Sequence, residues 1–160
     1  MNEFLRTLIL VLAGAVATVG FLMSIGLEKK FLPHAAISGI LSCAVYCLVL
    51  YLTDSLILAS MLGSAVSSVF AYFIAYFCKI PATLMIIAGL IPLVPGGKLY
   101  YAMYGAVNSD IVSFSAYAKE AIIIASGIAV GIIAATALSR VFTSRIKRKY
   151  RISQNKKQIF

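Results

Sequence analysis

The sequence predicts an all-α integral membrane protein with about five transmembrane helices, the fourth broken at a Pro-Gly loop. Hydrophobic residues make up 62% of the 160 residues, charged residues make up 12%, and the mean hydropathy is +1.00. Soluble domains carry about 45–50% apolar and about 25% charged residues. The apolar runs have the roughly 20-residue length of a membrane-spanning helix and are far longer than the strands of a membrane barrel. One of these runs is interrupted by "IPLVPGGKLYY".

The apolar runs, and the polar residues and prolines that separate them, predict five spans. The first apolar run continues past "AVA" at residues 15–17, which indicates a retained helix rather than a cleaved leader. Pro33 suits the first turn of the second helix, and Thr53 and Asp54 are expected to cap the third. Pro81 opens the interrupted segment. The predicted spans are Phe4–Ile25, Pro33–Leu52, Ser55–Phe77, Ala82–Val107 and Tyr117–Val141. We assign residues 1–141 to a transmembrane helical domain and residues 142–160 to a basic cytoplasmic tail.

The net charge of +9 is concentrated at the end of the chain, where eight of the fourteen basic residues follow Ser139. A basic segment after a span orients a membrane protein and contacts anionic lipid headgroups, so no nucleic-acid partner is predicted. With five crossings, Lys29, Lys30, Lys79 and the tail share one side. This positive-inside pattern predicts an amino terminus outside and a carboxyl terminus in the cytoplasm of a cell membrane, with a bacterial inner membrane expected. A re-entrant hairpin over the interrupted segment is the alternative and fits the charge bias less well.

The interrupted segment predicts a helix break in the middle of the fourth crossing. Pro92 and Pro95 each remove a backbone donor and should stop the helix that begins near Ala82. Gly96 and Gly97 permit backbone angles that other residues avoid. The helix that starts there would present free N–H groups and the positive end of its dipole at membrane depth, an arrangement that suits a carboxylate.

Lys98 and three tyrosines follow the break. A buried lysine in a first helical turn needs an anionic partner, and a bound anion would supply one. The alternative is a structural kink with Lys98 extended to the interface. The predicted substrate-binding residues are Pro92, Pro95, Gly96, Gly97, Lys98, Tyr100, Tyr101 and Tyr104.

Few other residues are candidates for chemistry. Glu120 is an ion-coupling candidate, because intramembrane carboxylates often relay protons, or else an interfacial residue at a helix start. His34 is expected at the surface, and the three cysteines lack metal-ligand spacing, so no metal or cofactor is predicted. The sequence contains no HExxH, GxSxG or phosphate-loop motif, so we predict no enzyme and no catalytic residue.

Small residues recur at every fourth position on two spans. Ser60, Ser64 and Ser68 form one ridge, and Gly127 and Gly131 begin another. Such ridges allow close helix packing in lipid, and a serine face can alternatively line a polar path.

The "IPLVPGGKLYY" stretch, within five compact spans followed by a basic tail, resembles the threonine/serine exporter family. The chain is most similar to its small-subunit branch, which corresponds to the carboxyl-terminal half of full-length exporters, over roughly the first 140 residues. Pro92, Pro95, Gly96, Gly97 and Tyr101 match the family loop.

The resemblance implies export of small amino acids or carboxylates, of threonine/serine or dicarboxylate type, so that the substrate is anionic or zwitterionic. It also implies a larger homologous membrane subunit as partner. Because five is an odd number of spans, a homologous five-span half would lie upside down, which gives an inverted-repeat transporter. The alternatives are a non-transporting scaffold or assembly subunit and an oligomeric channel lined by Ser60, Ser64 and Ser68.

Overall fold

The computed structural model describes residues 3–26 and 28–158, with side chains described at residues 5, 7–26 and 28–139. The chain is 90% helical, and its described residues contain no strand, which confirms the all-α prediction. Short 3-10 turns cover Lys29–Phe31 and Ile91–Leu93. The α-helices are α1 Glu3–Ser24, α2 Leu32–Thr53, α3 Leu56–Cys78, α4 Ala82–Leu90, α5 Gly96–Val107 and α6 Ile111–Gln158.

Four of the helical segments are each long and apolar enough to cross a membrane, and a bent pair can form a fifth crossing. The single spans lie on α1, α2, α3 and α6. The pair consists of Ala82–Leu93 and Gly96–Val107, whose axes differ by 54°. A re-entrant hairpin would need the second half to turn back toward the start of the first, and a 54° bend does not do this.

The direction of α6 shows that the bent pair crosses once. A Cβ added at Gly127 would meet Ser60, and one added at Gly131, four residues later, would meet Ser64. The contact therefore advances along both helices together, which means that α3 and α6 run parallel. If α4 and α5 returned to their starting side, α6 would have to run antiparallel to α3. The five segments consequently alternate in direction.

Glycine and serine residues bring the helix backbones close together. Gly89 of α4 faces Ser38 of α2 and Ser67 of α3, and these two hydroxyls lie 3.2 Å apart. Larger side chains at this crossing would separate three helices. Close backbone approach through small residues is the usual way in which helices associate in lipid.

The serine ridge of α3 packs against α6. Ser60, Ser64 and Ser68 are fully buried. The Ser60 hydroxyl donates to the Leu56 carbonyl at 2.8 Å, and the Ser64 hydroxyl lies 3.3 Å from the Ile128 carbonyl of α6. Because these serines are enclosed between two helices, they do not line an open path within this chain. The packing interpretation of the ridge is the one that the structure supports.

The expected cap of α3 is wrong, and Thr53 is instead the last residue of α2. Asp54 does not cap α3: it terminates α2 in the left-handed conformation, with φ 50°, and its N–H donates to the Leu50 carbonyl at 2.9 Å. Aspartate is one of the few non-glycine residues that tolerate this conformation. Ser55 precedes α3 and makes no side-chain cap bond there.

His34 was expected at the surface, but its side chain is half-buried.

Helix α6 begins six residues before the predicted Tyr117 and continues through the predicted tail to Gln158. At its start, the Ser113 N–H donates to the Asp110 carboxylate at 3.1 Å. Hydrogen bonds from the side chain and backbone of Ser113 lower the pKa of Asp110. Beyond Gly131 the chain contains neither glycine nor proline, so no residue interrupts the helix. The side chains of residues 140–158 lie outside the described part, and the contact of the tail with lipid headgroups stays a prediction.

Candidate substrate site at the broken helix

The two prolines form the break, as predicted. Helix α4 ends at Leu90, a 3-10 turn carries Pro92, and Pro95 precedes α5 with φ −76° and ψ 49°. No side chain caps the amino end of α5 in the described part of the chain. The Gly96 N–H donates to the Val94 carbonyl at 2.7 Å, and the Leu99 N–H donates to the Pro95 carbonyl at 3.0 Å. The N–H groups of Gly97 and Lys98 have neither a backbone acceptor nor a capping side chain among the described residues.

The conformational freedom of Gly96 and Gly97 is not used in the structure. Both residues lie within α5, and among the described glycines only Gly26 has a positive φ, 82°. The angles at Pro95 make the turn, so the glycines need no left-handed conformation. A Cβ added at either glycine would find no atom within 4 Å. Their contribution is an open, exposed approach to the backbone at the start of α5.

The position of the break is held by two glycines of neighbouring helices. A Cβ added at Gly14 of α1 would lie 3.1 Å from the Cβ of Pro92. A Cβ added at Gly63 of α3 would lie 3.5 Å from Leu93, which is 4% exposed. The turn thus packs against α1, α2 and α3, and α5 leaves the bundle from there to pack mainly on α6.

Lys98 of α5 is paired with Glu120 of α6. The Lys98 Nζ lies 2.5 Å from the Glu120 Oε2, and the two side chains are 39% and 37% exposed. Glu120 lies nine residues after Ile111, so it is not in the first turn of α6. Its two predicted roles, ion coupling or an interfacial position, both stay predictions. The partner that Lys98 requires is supplied by the chain itself.

Aromatic rings surround the pair. The Lys98 Nζ lies 5.5 Å from the centroid of the Tyr117 ring, within the range of a cation–π interaction. The Tyr101 and Tyr117 rings are 5.3 Å apart, and Tyr100 contacts Tyr101 edge to face at 5.4 Å. We name Lys98, Tyr101, Tyr117 and Glu120 the ion-pair cluster. Tyr46 of α2 lies within electrostatic range of Glu120, which places the cluster beside the bundle.

The structure thus brings some of the predicted site residues together and leaves others apart. Lys98, Tyr100 and Tyr101 lie at the ion-pair cluster. Pro92 packs against α1, and Tyr104 is 61% exposed, with its carbonyl accepting from the Asn108 N–H at 3.1 Å. The roles of all these residues in binding stay predictions.

The sequence analysis missed Tyr117 as a site residue and missed the pairing of Lys98 with Glu120. A signal for the pairing is present in the chain. Lys98 precedes Ser109 by eleven residues, and Glu120 follows it by eleven. Residues equidistant from the turn of an antiparallel helical hairpin lie at the same height, so opposite charges at these positions can meet.

A separate apolar groove of about 640 Å³ lies between α5 and α6. Leu99, Phe114, Ala118 and Ala121 are among its lining residues, and no member of the ion-pair cluster lines it. A groove lined almost wholly by apolar atoms offers little to orient a charged metabolite. This groove is therefore not the place where an anion would be recognised.

Comparison with known proteins identifies the family. The model of the family described as Threonine/Serine exporter, ThrE matches residues 10–138, a range that includes the break and the whole ion-pair cluster. No curated protein and no solved structure matches the chain. The matched family is one of exporters and not of enzymes, which supports a transport function. Because the match covers most of its length, the chain belongs to the threonine/serine exporter family.

Proposed function

We propose that this chain is one subunit of a secondary exporter for small amino acids or carboxylates, with its substrate site at the break between α4 and α5. The observation that carries the proposal is the Lys98–Glu120 pair, which lies half-exposed beside the break and within apolar spans. Charged groups at membrane depth are costly and usually mark substrate or ion pathways. Family membership supports the same class of function.

A substrate carboxylate would find two sources of positive potential at the start of α5. The free N–H groups of Gly97 and Lys98 and the helix dipole stabilise an anion there by about 0.3–1 kcal/mol at exposed sites. The Lys98 ammonium, in the first turn of the same helix, adds a charged donor. Because Gly96 and Gly97 carry no side chains and are exposed, a ligand can approach the backbone closely.

The exposure of the ion-pair cluster supports a partner subunit. Tyr100 and Tyr101 are 63% and 51% exposed, and α5 packs mainly on α6. A charged and hydroxyl-bearing face cannot be left against hydrocarbon without a large cost, so protein or water must cover it. We propose that a larger homologous subunit, inverted relative to this one, covers this face and supplies a second broken helix.

The proposed orientation follows from the distribution of charge. The turns that carry Lys29, Lys30 and Lys79 lie at the same end of the alternating helices as the carboxyl end of α6. Positive charge favours the cytoplasmic side. We therefore place the amino terminus outside the cell and the carboxyl terminus in the cytoplasm, in a bacterial inner membrane. An impermeant thiol reagent that labels Lys30→Cys on intact cells would contradict this orientation.

The proposed site is tested by L-threonine efflux from cells that produce this chain together with its partner subunit. We expect Lys98→Ala to lower the initial efflux rate about tenfold or more, because a hydrogen bond to a charged group contributes about 1.5–3 kcal/mol. Lys119→Ala is the matched control, since Lys119 is an exposed lysine next to Glu120 and should leave efflux unchanged.

Equal efflux by the Lys98→Ala variant and the wild type, at equal protein levels, would show that the site is elsewhere. Efflux by the partner alone would show that this chain is a scaffold subunit.

A further inference from the structure

We propose that the Lys98–Glu120 pair is a template for a zwitterion, in which Lys98 receives the substrate carboxylate and Glu120 receives the substrate ammonium group. This inference rests on the proposed function and assigns Glu120 the part of a specificity-determining residue. It differs from the predicted role of Glu120 in ion coupling, which no observation tests.

The first argument is the balance of charge in the empty site. Lys98 and Glu120 carry opposite charges in direct contact, 2.5 Å apart, on two segments that are apolar enough to cross a membrane. Lys119, the neighbour of Glu120 in sequence, is exposed and is not part of the pair. The pair is neutral as a unit, which lowers the cost of placing either charge in the membrane. A ligand that leaves one member without a counter-ion restores that cost.

The second argument compares the ligands that could open the pair. A simple carboxylate that binds Lys98 leaves Glu120 as a separated anion in an apolar span. An amino-acid zwitterion brings one charge of each sign, two bonds apart, and replaces one ion pair by two. Both side chains then keep a partner, and the net charge of the site stays zero. The site therefore favours an amino acid over the corresponding carboxylate.

The third argument is that the pair is able to open. Both side chains are more than a third exposed, although the Glu120 Oε2 that contacts Lys98 is itself buried. A ligand can therefore reach the exposed part of each side chain, and the pair has to open before that oxygen is free. Lysine and glutamate side chains have several rotatable bonds and can separate while their backbones stay in place. Glu120 is paired with Lys98 on α5 and lies within electrostatic range of Tyr46 on α2, and Lys98 in turn lies over the Tyr117 ring. From Leu56 to Val69, the part of α3 packed against α6 carries no titratable side chain that could take the ammonium group.

The experiment uses proteoliposomes that contain this chain and its partner subunit, and it compares L-serine with L-glycerate. The two compounds differ only in that glycerate has a hydroxyl group in place of the ammonium group. Competition against labelled serine measures the preference for the amino group. We expect the wild type to prefer serine and Glu120→Gln to reduce this preference about tenfold or more, since the lost contact is a hydrogen bond between charged groups. Glu120→Asp, which keeps the carboxylate, should retain most of the preference.

The two proposals fail in different ways. A wild type that transports glycerate as well as or better than serine would overturn the zwitterion template while leaving the export of small carboxylates intact. Equal losses of serine and glycerate transport in Glu120→Gln would also overturn it, because they indicate a structural role for the ion pair. If the wild type transports neither compound, the result contradicts both the proposed function and this inference.

Discussion

At Gly14 the absence of a side chain helps to decide where the break between α4 and α5 can lie. The ideal Cβ position at this residue is 3.1 Å from the Pro92 Cβ, closer than most real contacts between such atoms. Pro92 is itself rigid, so it cannot move aside by changing rotamer. The close contact with α1 at Gly14 is therefore one of the constraints on the geometry that presents the start of α5.

The substitution Gly14→Val tests this constraint. We expect it to displace Pro92, to lower the free energy of unfolding by about 1–3 kcal/mol, as overpacking does in cores, and to reduce L-threonine efflux. Thermal unfolding in detergent and the efflux rate are the measurements. Gly20→Val is the matched control, because Gly20 lies on the same helix and a Cβ there would contact nothing within 4 Å. Similar behaviour of the two variants would show that Gly14 is not a spacer for the break.

At the scale of elements, α3 and α6 form the seam that fixes the direction of the last crossing. A Cβ added at Gly127 would contact the Ser60 side chain, and one added at Gly131 would contact Ser64 and the Met61 carbonyl. Backbone carbonyl groups cannot turn away from such a contact. The seam therefore depends on the two glycines more than on any apolar side chain.

We expect Gly131→Ala to destabilise the protein, although a change from glycine to alanine inside a helix usually stabilises it. Replacing glycine by alanine inside a helix normally stabilises it by about 0.5–1 kcal/mol. Here the added methyl group would press on the Met61 carbonyl, so we expect a lower free energy of unfolding. Gly20→Ala, in open space on α1, should show the ordinary stabilisation. The unfolding midpoints in detergent decide the matter, and an increase for Gly131→Ala would refute close packing at the seam.

The elements could be predicted where their causes are local. The length of each apolar run sets the spans, and Pro92 and Pro95 set the break, because each proline removes a donor wherever it lies. The conformations of Asp54, Gly96 and Gly97 could not be predicted in the same way, since several residues can close a turn and the structure uses only one of them. The predicted start of α6 is too late because Ser113, Ser115 and Lys119 lower the hydropathy of its first turns.

At the scale of the whole molecule, the candidate site depends on the alternation of five helical directions. The pairing of Lys98 with Glu120 requires α5 and α6 to run antiparallel on either side of the turn at Ser109. Hydropathy identifies each span but not the partner of a side chain across two helices, which is why the pairing was missed. The number of crossings also determines whether a homologous half must be inverted.

The most direct test of the account asks on which side of the membrane the turn at Ser109 lies. In a variant whose cysteines, Cys43, Cys47 and Cys78, are replaced by serine, single substitutions Lys30→Cys, Lys79→Cys and Ser109→Cys are labelled with an impermeant thiol reagent in oriented vesicles. If the broken segment crosses the membrane once, Ser109→Cys reacts from one side and Lys30→Cys and Lys79→Cys react from the other. Labelling of all three positions from the same side would mean that α4 and α5 form a re-entrant hairpin, and it would contradict the fold on which the site depends.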